Sequence, residues 1–200
     1  MDPAGELYAT GPIWDERPDE RVADVLAQLD TGRALDLGAG EGRHAVWLAL
    51  NGWDVTAVDS SAVAMGNLQA LAAVRGLSIE AVIGDATGYS PRKHAYDLVL
   101  VRYLQLRASS LKLALRTAAA ALADHGRLLL IAHDASNLDQ GYGGPQNPEV
   151  LTTAEVVAGI LTGLGLEVVR AEVVRRRVMT DAGIRVALDH VVEAVSPPVA

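Results

Sequence analysis

Two hundred residues, 50% of them apolar and 21% charged, are enough for one domain with a large core and argue against wholesale disorder. A net charge of -8 speaks against a nucleic-acid binder held by phosphate contacts, although Arg175, Arg176 and Arg177 form a local basic run. With no cysteine there are no disulfides, thiolate metal sites, iron–sulfur clusters or thiol nucleophile.

The opening M-D-P-A-G-E-L-Y carries two acids and no apolar run, unlike a signal peptide, and no uncharged apolar stretch reaches the roughly 18 residues of a membrane span. A soluble, cytoplasmic protein with no membrane partner is expected. Met1 to Pro18, with three prolines and two glycines, reads as an irregular arm. Val22, Val25, Leu26 and Leu29 then follow helical spacing behind Pro18, Asp19 and Glu20, and Gly32 punctuates the exit.

Arg33 to Leu37 is a short buried strand and Gly42 to Asn51 a helix stopped at Asn51-Gly52. Trp53 to Val58 is the second strand. Ser60 or Ser61 caps a helix that runs to Arg75 and ends at Gly76. Leu77 to Ile83, Tyr96 to Val101 and Arg127 to Ala132 are further strands, with a helix over Leu111 to Asp124. Apolar strands alternating with helices predict a parallel sheet covered on both faces. Ser136 to Pro148 is a polar Gly/Pro/Asn loop with no element of its own. Thr152-x-x-Glu155 predicts a capping box opening a helix to about Gly165. Glu167 to Val178 and Ile184 to Val195 form a hairpin around Thr180-Asp181-Ala182-Gly183.

Gly38, Gly40 and Gly42 stand two apart between the first strand and its helix, and Asp59 follows Gly38 by 21 residues. A glycine turn at a strand end, with an acid closing the next strand, suits a nucleoside whose ribose hydroxyls the carboxylate accepts. Dinucleotide folds favour G-x-G-x-x-G; here the spacing is G-x-G-x-G, with Glu41 inside the turn and Arg43 at the position of the third glycine. An anionic Glu41 opposes a pyrophosphate and suits a cationic ligand.

L-D-L-G-A-G-E-G-R, then V-T-A-V-D-S-S, then G-D-A, resembles motif I, its following acidic strand and motif II of the class I S-adenosylmethionine-dependent methyltransferases. G-R-H-A-V-W-L-A-L-N-G-W-D-V and T-D-A-G-I-R-V are similar to the small bacterial tellurite-resistance type. The resemblance implies an α/β, single Rossmann-like domain: a mostly parallel seven-stranded sheet with helices on both faces and a C-terminal antiparallel hairpin. Residues 1–32 would be the arm and first helix, 33–132 the cofactor-binding core, and 133–200 the acceptor-side loop, helix and hairpin.

The same resemblance implies roles. The backbone of Asp36, Leu37, Gly38, Ala39 and Gly40 would pass under the methionine part of S-adenosyl-L-methionine, with Asp36 facing its amino group. Asp59 would accept from both ribose hydroxyls, Ser60 would lie near the adenine, Asp85 would take its amino group and Ala86 would face a ring nitrogen. Arg102 would lie near the methionine moiety. On the acceptor side, His133, oriented by Asp134, is a candidate proton acceptor and Tyr103 a candidate hydrogen-bonding group. Trp14 could present an aromatic face to the sulfonium, the 136–148 loop with Tyr142 could form a lid, and Arg43 and Arg185 could touch an anionic group. No histidines have metal-ligand spacing.

Arg102-Tyr103-Leu104-Gln105 lacks the Asn/Asp-Pro-Pro-Tyr pattern of base amino methylation, and cytosine C5 methylation needs a cysteine. The expectation is methyl transfer to a small-molecule acceptor by in-line displacement, with no nucleic-acid partner, by a monomer or homodimer. A cofactor-binding partner or regulatory protein without turnover is the alternative, and a nicotinamide oxidoreductase is disfavoured by the glycine spacing.

Overall fold

A computed structural model describes residues 20–27 and 29–198. After helix α1 (Glu20–Leu26), strands and helices alternate as β1 (Arg33–Leu37), α2 (Arg43–Leu50), β2 (Asp54–Asp59), α3 (Ala62–Arg75), β3 (Ile79–Ile83), β4 (Tyr96–Arg102), α4 (Ala108–Ala121) and β5 (Leu122–His133). The one-turn α5 (Asn137–Gln140), a 3-10 turn (Pro148–Val150), α6 (Ala154–Gly163), β6 (Glu167–Thr180) and β7 (Gly183–Val195) complete the described chain. The seven strands form one sheet in the order β3-β2-β1-β4-β5-β7-β6. β1 to β5 pair in parallel, while β7 runs antiparallel between β5 and β6.

Each face of the sheet buries its own core. Leu35, Leu37, Val99, Val101, Leu128 and Leu130 pack against Leu111, Leu115 and Ala118 of α4 and Val157 and Leu161 of α6. Ala34, Leu98, Leu100, Leu129, Ile131 and Val191 face α1, α2 and α3 through Val22, Val25, Ala45, Leu48, Met65 and Leu68. The period-2 alternation of strands therefore has a consequence at the C-terminal edge. Asp36 follows Ala34 by two, Arg102 follows Leu100, His133 follows Ile131, and Asp189 precedes Val191 on the antiparallel strand. All four project to the α1–α3 side of that edge.

Three local features differ from the sequence expectations. Residues 122–124 are extended, not helical, because Leu122 pairs with Tyr96 in the sheet and is fully buried. The cap of α6 is Thr153, whose hydroxyl accepts from the Val156 amide at 3.4 Å; Thr152 is held in a bridge with Asp134 and cannot serve. The 136–148 loop contains α5, whose last carbonyls are followed by Gly141. Of the two candidate serines, Ser61 caps α3, accepting from the Ala64 amide at 3.3 Å. The hairpin has the expected site of its turn, with Asp181-Ala182 at the tip. Trp14 and the arm lie outside the described residues.

The glycine turn is sterically demanding at Gly42. Its φ is +76°, and a Cβ there would sit 2.4 Å from Cδ1 of the fully buried Leu68. Left-handed strain and overpacking together predict that Gly42→Ala destabilises by about 2–4 kcal/mol. A control, Gly76→Ala, shares the left-handed backbone at +65° but meets nothing within 4 Å, so it should cost only about 1–2 kcal/mol. Equal losses of melting temperature in the two variants would show that Leu68 gives way freely.

Candidate cofactor and acceptor site

One cleft opens at the C-terminal edge of the parallel strands, where open α/β sheets place ligands. Gly38, Asp59, Ser60, Asp85 and Ala86 line it together with Val58, Gly84, Leu104 and Leu106. The residues singled out after β1, β2 and β3 thus meet in one place. Leu104 and Leu106 carry no local motif; Leu104 closes over the turn so tightly that a Cβ at Gly38 would lie 2.9 Å from its Cδ1.

The turn is tied down by its own amides. Gly38 and Ala39 both donate to the Val58 carbonyl, at 2.8 and 3.0 Å, and Gly40 donates to Oδ2 of Asp59 at 2.8 Å. Oδ1 of Asp59 accepts from the Ser61 amide at 2.9 Å. A carboxylate has about four acceptor sites, so each Asp59 oxygen keeps one for a ligand. Asp85 is more local: its Oδ1 accepts from both the amide and the hydroxyl of Thr87 at 2.8 Å.

Beneath the turn lies a buried polar group. Asp36 is 1% exposed and its Oδ2 has no hydrogen-bond partner. Burial pushes its carboxyl up to about 7, against the opposing charge of Arg102 and the Ala45 amide. Arg102, also buried, donates to the imidazole of His44. Burial first, and the Arg102 and Arg43 charges next, push His44 down to about 2, so it stays neutral and accepts. His44 was visible in the sequence only as a histidine without metal spacing.

A second polar cluster stands beside the first, over β4, β5 and the hairpin. The Tyr103 hydroxyl donates to Oδ2 of Asp189 at 2.8 Å, and Nε of Arg176 donates to the same oxygen at 2.6 Å. Nδ1 of His133 lies 3.2 Å from Oδ1 of Asp189, and the Tyr103 and His133 rings are 4.8 Å apart. The Arg102 and Arg176 guanidinium carbons lie 5.1 and 5.6 Å from the Tyr103 ring centre. Tyr103 holds this place with a left-handed φ of 47°, a strained conformation that clusters at functional sites. Burial, with the Asp189 charge, pushes its phenol up to about 12. Burial also works to raise the Asp189 carboxyl, but the contacts from His133, Arg176 and Tyr103 outweigh it and hold the group well below the usual carboxylate range.

The sequence paired His133 with Asp134; the structure separates them. Asp134 points to the opposite face of the sheet, accepting from Ser136 and lying 3.6 Å from Nδ1 of the buried His190. The acid beside His133 is Asp189, on β7. The 136–148 loop reaches the cluster: Gly144 packs on His133, where a Cβ would come within 3.0 Å of the ring. Asn137 ties this loop down, donating to the Gly143 carbonyl at 2.8 Å and accepting from the Leu188 amide at 2.7 Å. Tyr142 is exposed. Arg185 is exposed near the hairpin tip, away from the cluster's contacts.

Residues 34–126 match the family model for the methyltransferase domain. Over that segment the chain is similar to methyltransferase domains. No curated protein matches the chain by sequence. Its fold is shared with TehB from Haemophilus influenzae at 18% identity and a TM-score of 0.75, over 96% of this chain and 65% of TehB. An S-adenosylmethionine-dependent methyltransferase from Methanosarcina mazei superposes with a TM-score of 0.70 at 16% identity, covering 88% of this chain and 98% of that one. The [4+2]-cyclase SpnF has the fold too, with a TM-score of 0.69 at 18% identity over 94% and 86% of the two chains. The fold alone therefore does not name the reaction or its substrate. Among the described residues, no helix is long and apolar enough to cross a membrane.

Proposed function

We propose that the chain is an S-adenosylmethionine-dependent methyltransferase acting on a small-molecule acceptor, with the cofactor along the edge from β3 to β4 and the acceptor over Tyr103 and His133. The observation that carries the reading is the convergence of Gly38, Asp59, Ser60, Asp85 and Ala86 on one cleft, with a separate polar cluster next to it on the neighbouring strands.

The residues fit S-adenosylmethionine. An orphaned, buried carboxylate oxygen on Asp36 suits an ammonium group, and the Gly38 turn is a cradle that a side chain would fill. In this reading Asp36, Arg102 and the backbone of Gly38, Ala39 and Gly40 hold the methionine end. Asp59 holds the ribose, and Ser60, Asp85 and Ala86 hold the adenine. When bound, the cofactor supplies a methyl group on sulfonium sulfur whose departure as a neutral thioether drives the transfer. The chain's task is to align the acceptor and exclude water. Leu104 and Leu106 line the cleft with apolar surface, and the Gly144 loop covers His133. The net charge of -8 supports a small acceptor over a nucleic acid.

S-adenosylhomocysteine tests this directly. At 100 times its dissociation constant it should stabilise by about 2.7 kcal/mol, a rise in melting temperature of roughly 5–10 °C for a chain of this size. No shift at millimolar ligand would overturn the reading.

A further inference from the structure

We propose that Asp189 is a positioning residue that keeps the His133 proton on Nδ1 and leaves Nε2 as the base, and that the acceptor is therefore a hydroxyl compound. The inference rests on the function proposed above and deepens it by naming the acceptor class.

Three observations carry it. Asp189 is fully buried and its Oδ1 lies 3.2 Å from Nδ1 of His133, off the ideal hydrogen-bond direction. Tyr103 and Nε of Arg176 hold Oδ2 of Asp189, so the carboxylate is anchored with Oδ1 facing the imidazole; the weaker Arg176 contact to Oδ1 is 3.4 Å. A nitrogen lone pair cannot face an anionic oxygen at that distance without repulsion, so Nδ1 carries hydrogen. The ring is also fixed in place, between the tilted Tyr103 ring and the Gly144 backbone. Among the described residues, none hydrogen-bonds to Nε2. An imidazole with a buried acid beside one nitrogen and the second nitrogen available is an arrangement for taking a proton.

A thiolate or other soft anion needs no such base; an acceptor that arrives protonated does. Of the protonated classes, an ammonium is disfavoured by the two guanidinium groups over Tyr103. A hydroxyl remains. Its proton passes to Nε2 while its oxygen bonds to the methyl carbon, and the electron pair of the broken carbon–sulfur bond stays on sulfur. The positive charge of the sulfonium thus ends on the imidazole, opposite Asp189. The acid acts only through the histidine.

The full chain labelled with [15N]histidine reports the tautomer without turnover, with His133→Gln to assign the signal. At pH 7.5 the expected result is hydrogen on Nδ1 and a bare Nε2 in the wild type, with that preference lost in Asp189→Asn. Hydrogen on Nε2 in the wild type would overturn the proposal. If Asp189→Asn does not fold, the double variant Tyr103→Phe/Arg176→Gln removes both contacts that hold Oδ2 of Asp189 and should weaken the Nδ1 preference; an unchanged preference would overturn the proposal. Phenol and thiophenol, offered with radiolabelled cofactor, test the acceptor class. Transfer to phenol should fall by about 100-fold or more in His133→Gln, and any transfer to thiophenol should change less than about threefold. Transfer to thiophenol alone, or to neither probe, overturns the hydroxyl assignment. Failure here with an intact S-adenosylhomocysteine shift removes this inference and leaves the cofactor reading standing.

Discussion

Asp59→Ala should weaken binding of S-adenosylhomocysteine by about 1–3 kcal/mol, roughly 5- to 150-fold, through lost charged hydrogen bonds to the ribose. It should also loosen the empty protein, because the Gly40 and Ser61 amides both donate to this carboxylate and would be left without it. The two losses are separable. Calorimetric affinity at a temperature where both proteins are folded reads the first, and the melting temperature without ligand reads the second. Asp59→Asn keeps an acceptor for one amide but offers an NH2 group to the other, so it should recover only part of either. Unchanged affinity in Asp59→Ala would place the ribose elsewhere.

Asp36→Asn should separate stability from binding, in opposite directions. The folded carboxyl is raised to about 7 from its ordinary 3.8. A group raised in this way contributes its stability below the unfolded value and loses it as pH rises through the folded one. Between about pH 4 and pH 7 the wild type therefore loses stability relative to Asp36→Asn, by a few kcal/mol in order of magnitude, and above pH 7 the gap stays constant. Melting curves at pH 5 and pH 8 check the sign: the variant should gain on the wild type at the higher pH. Cofactor binding runs the other way. An ammonium at Asp36 favours the ionised acid, so wild-type binding at pH 7 should release part of a proton, measurable by calorimetry in buffers of different ionisation enthalpy. The variant should release less and bind more weakly. A variant no more stable than wild type at pH 8 would mean that Arg102 compensates Asp36 fully.

The residues that line the cleft were legible because their signals are local. Gly38, Asp59 and Asp85 each close a strand, and a strand end in an α/β sheet is already a ligand position. Leu104, Leu106 and His44 carried no such signal, since an apolar or lone histidine residue beside a strand reads equally as core. The polar cluster beside it was misread at one point. Asp134 is adjacent to His133 in the chain, but consecutive strand residues face opposite sides of the sheet, so the neighbour in sequence is the wrong acid. Asp189 had a signal that could have been weighed: an acid and a histidine interrupt the otherwise apolar V-A-L-D-H-V-V of β7.

The sequence by itself determined the elements, the glycine turn with its strand-end acids, and the alternation that sends Asp36, Arg102 and His133 to one face. Those follow from local backbone geometry and burial within single strands. Only the tertiary structure decided which strand lies beside β5. The last strand returns antiparallel and inserts between β5 and β6, pairing His133 with Asp189 in register. That pairing spans 56 residues of chain, and the Tyr103 contact to Asp189 spans 86. No local pattern encodes such a choice, because β5 offers a hydrogen-bonding edge that any apolar strand of the right length could fill. The glycine turn is written in one stretch of sequence; His133 and Asp189 meet only when the sheet closes.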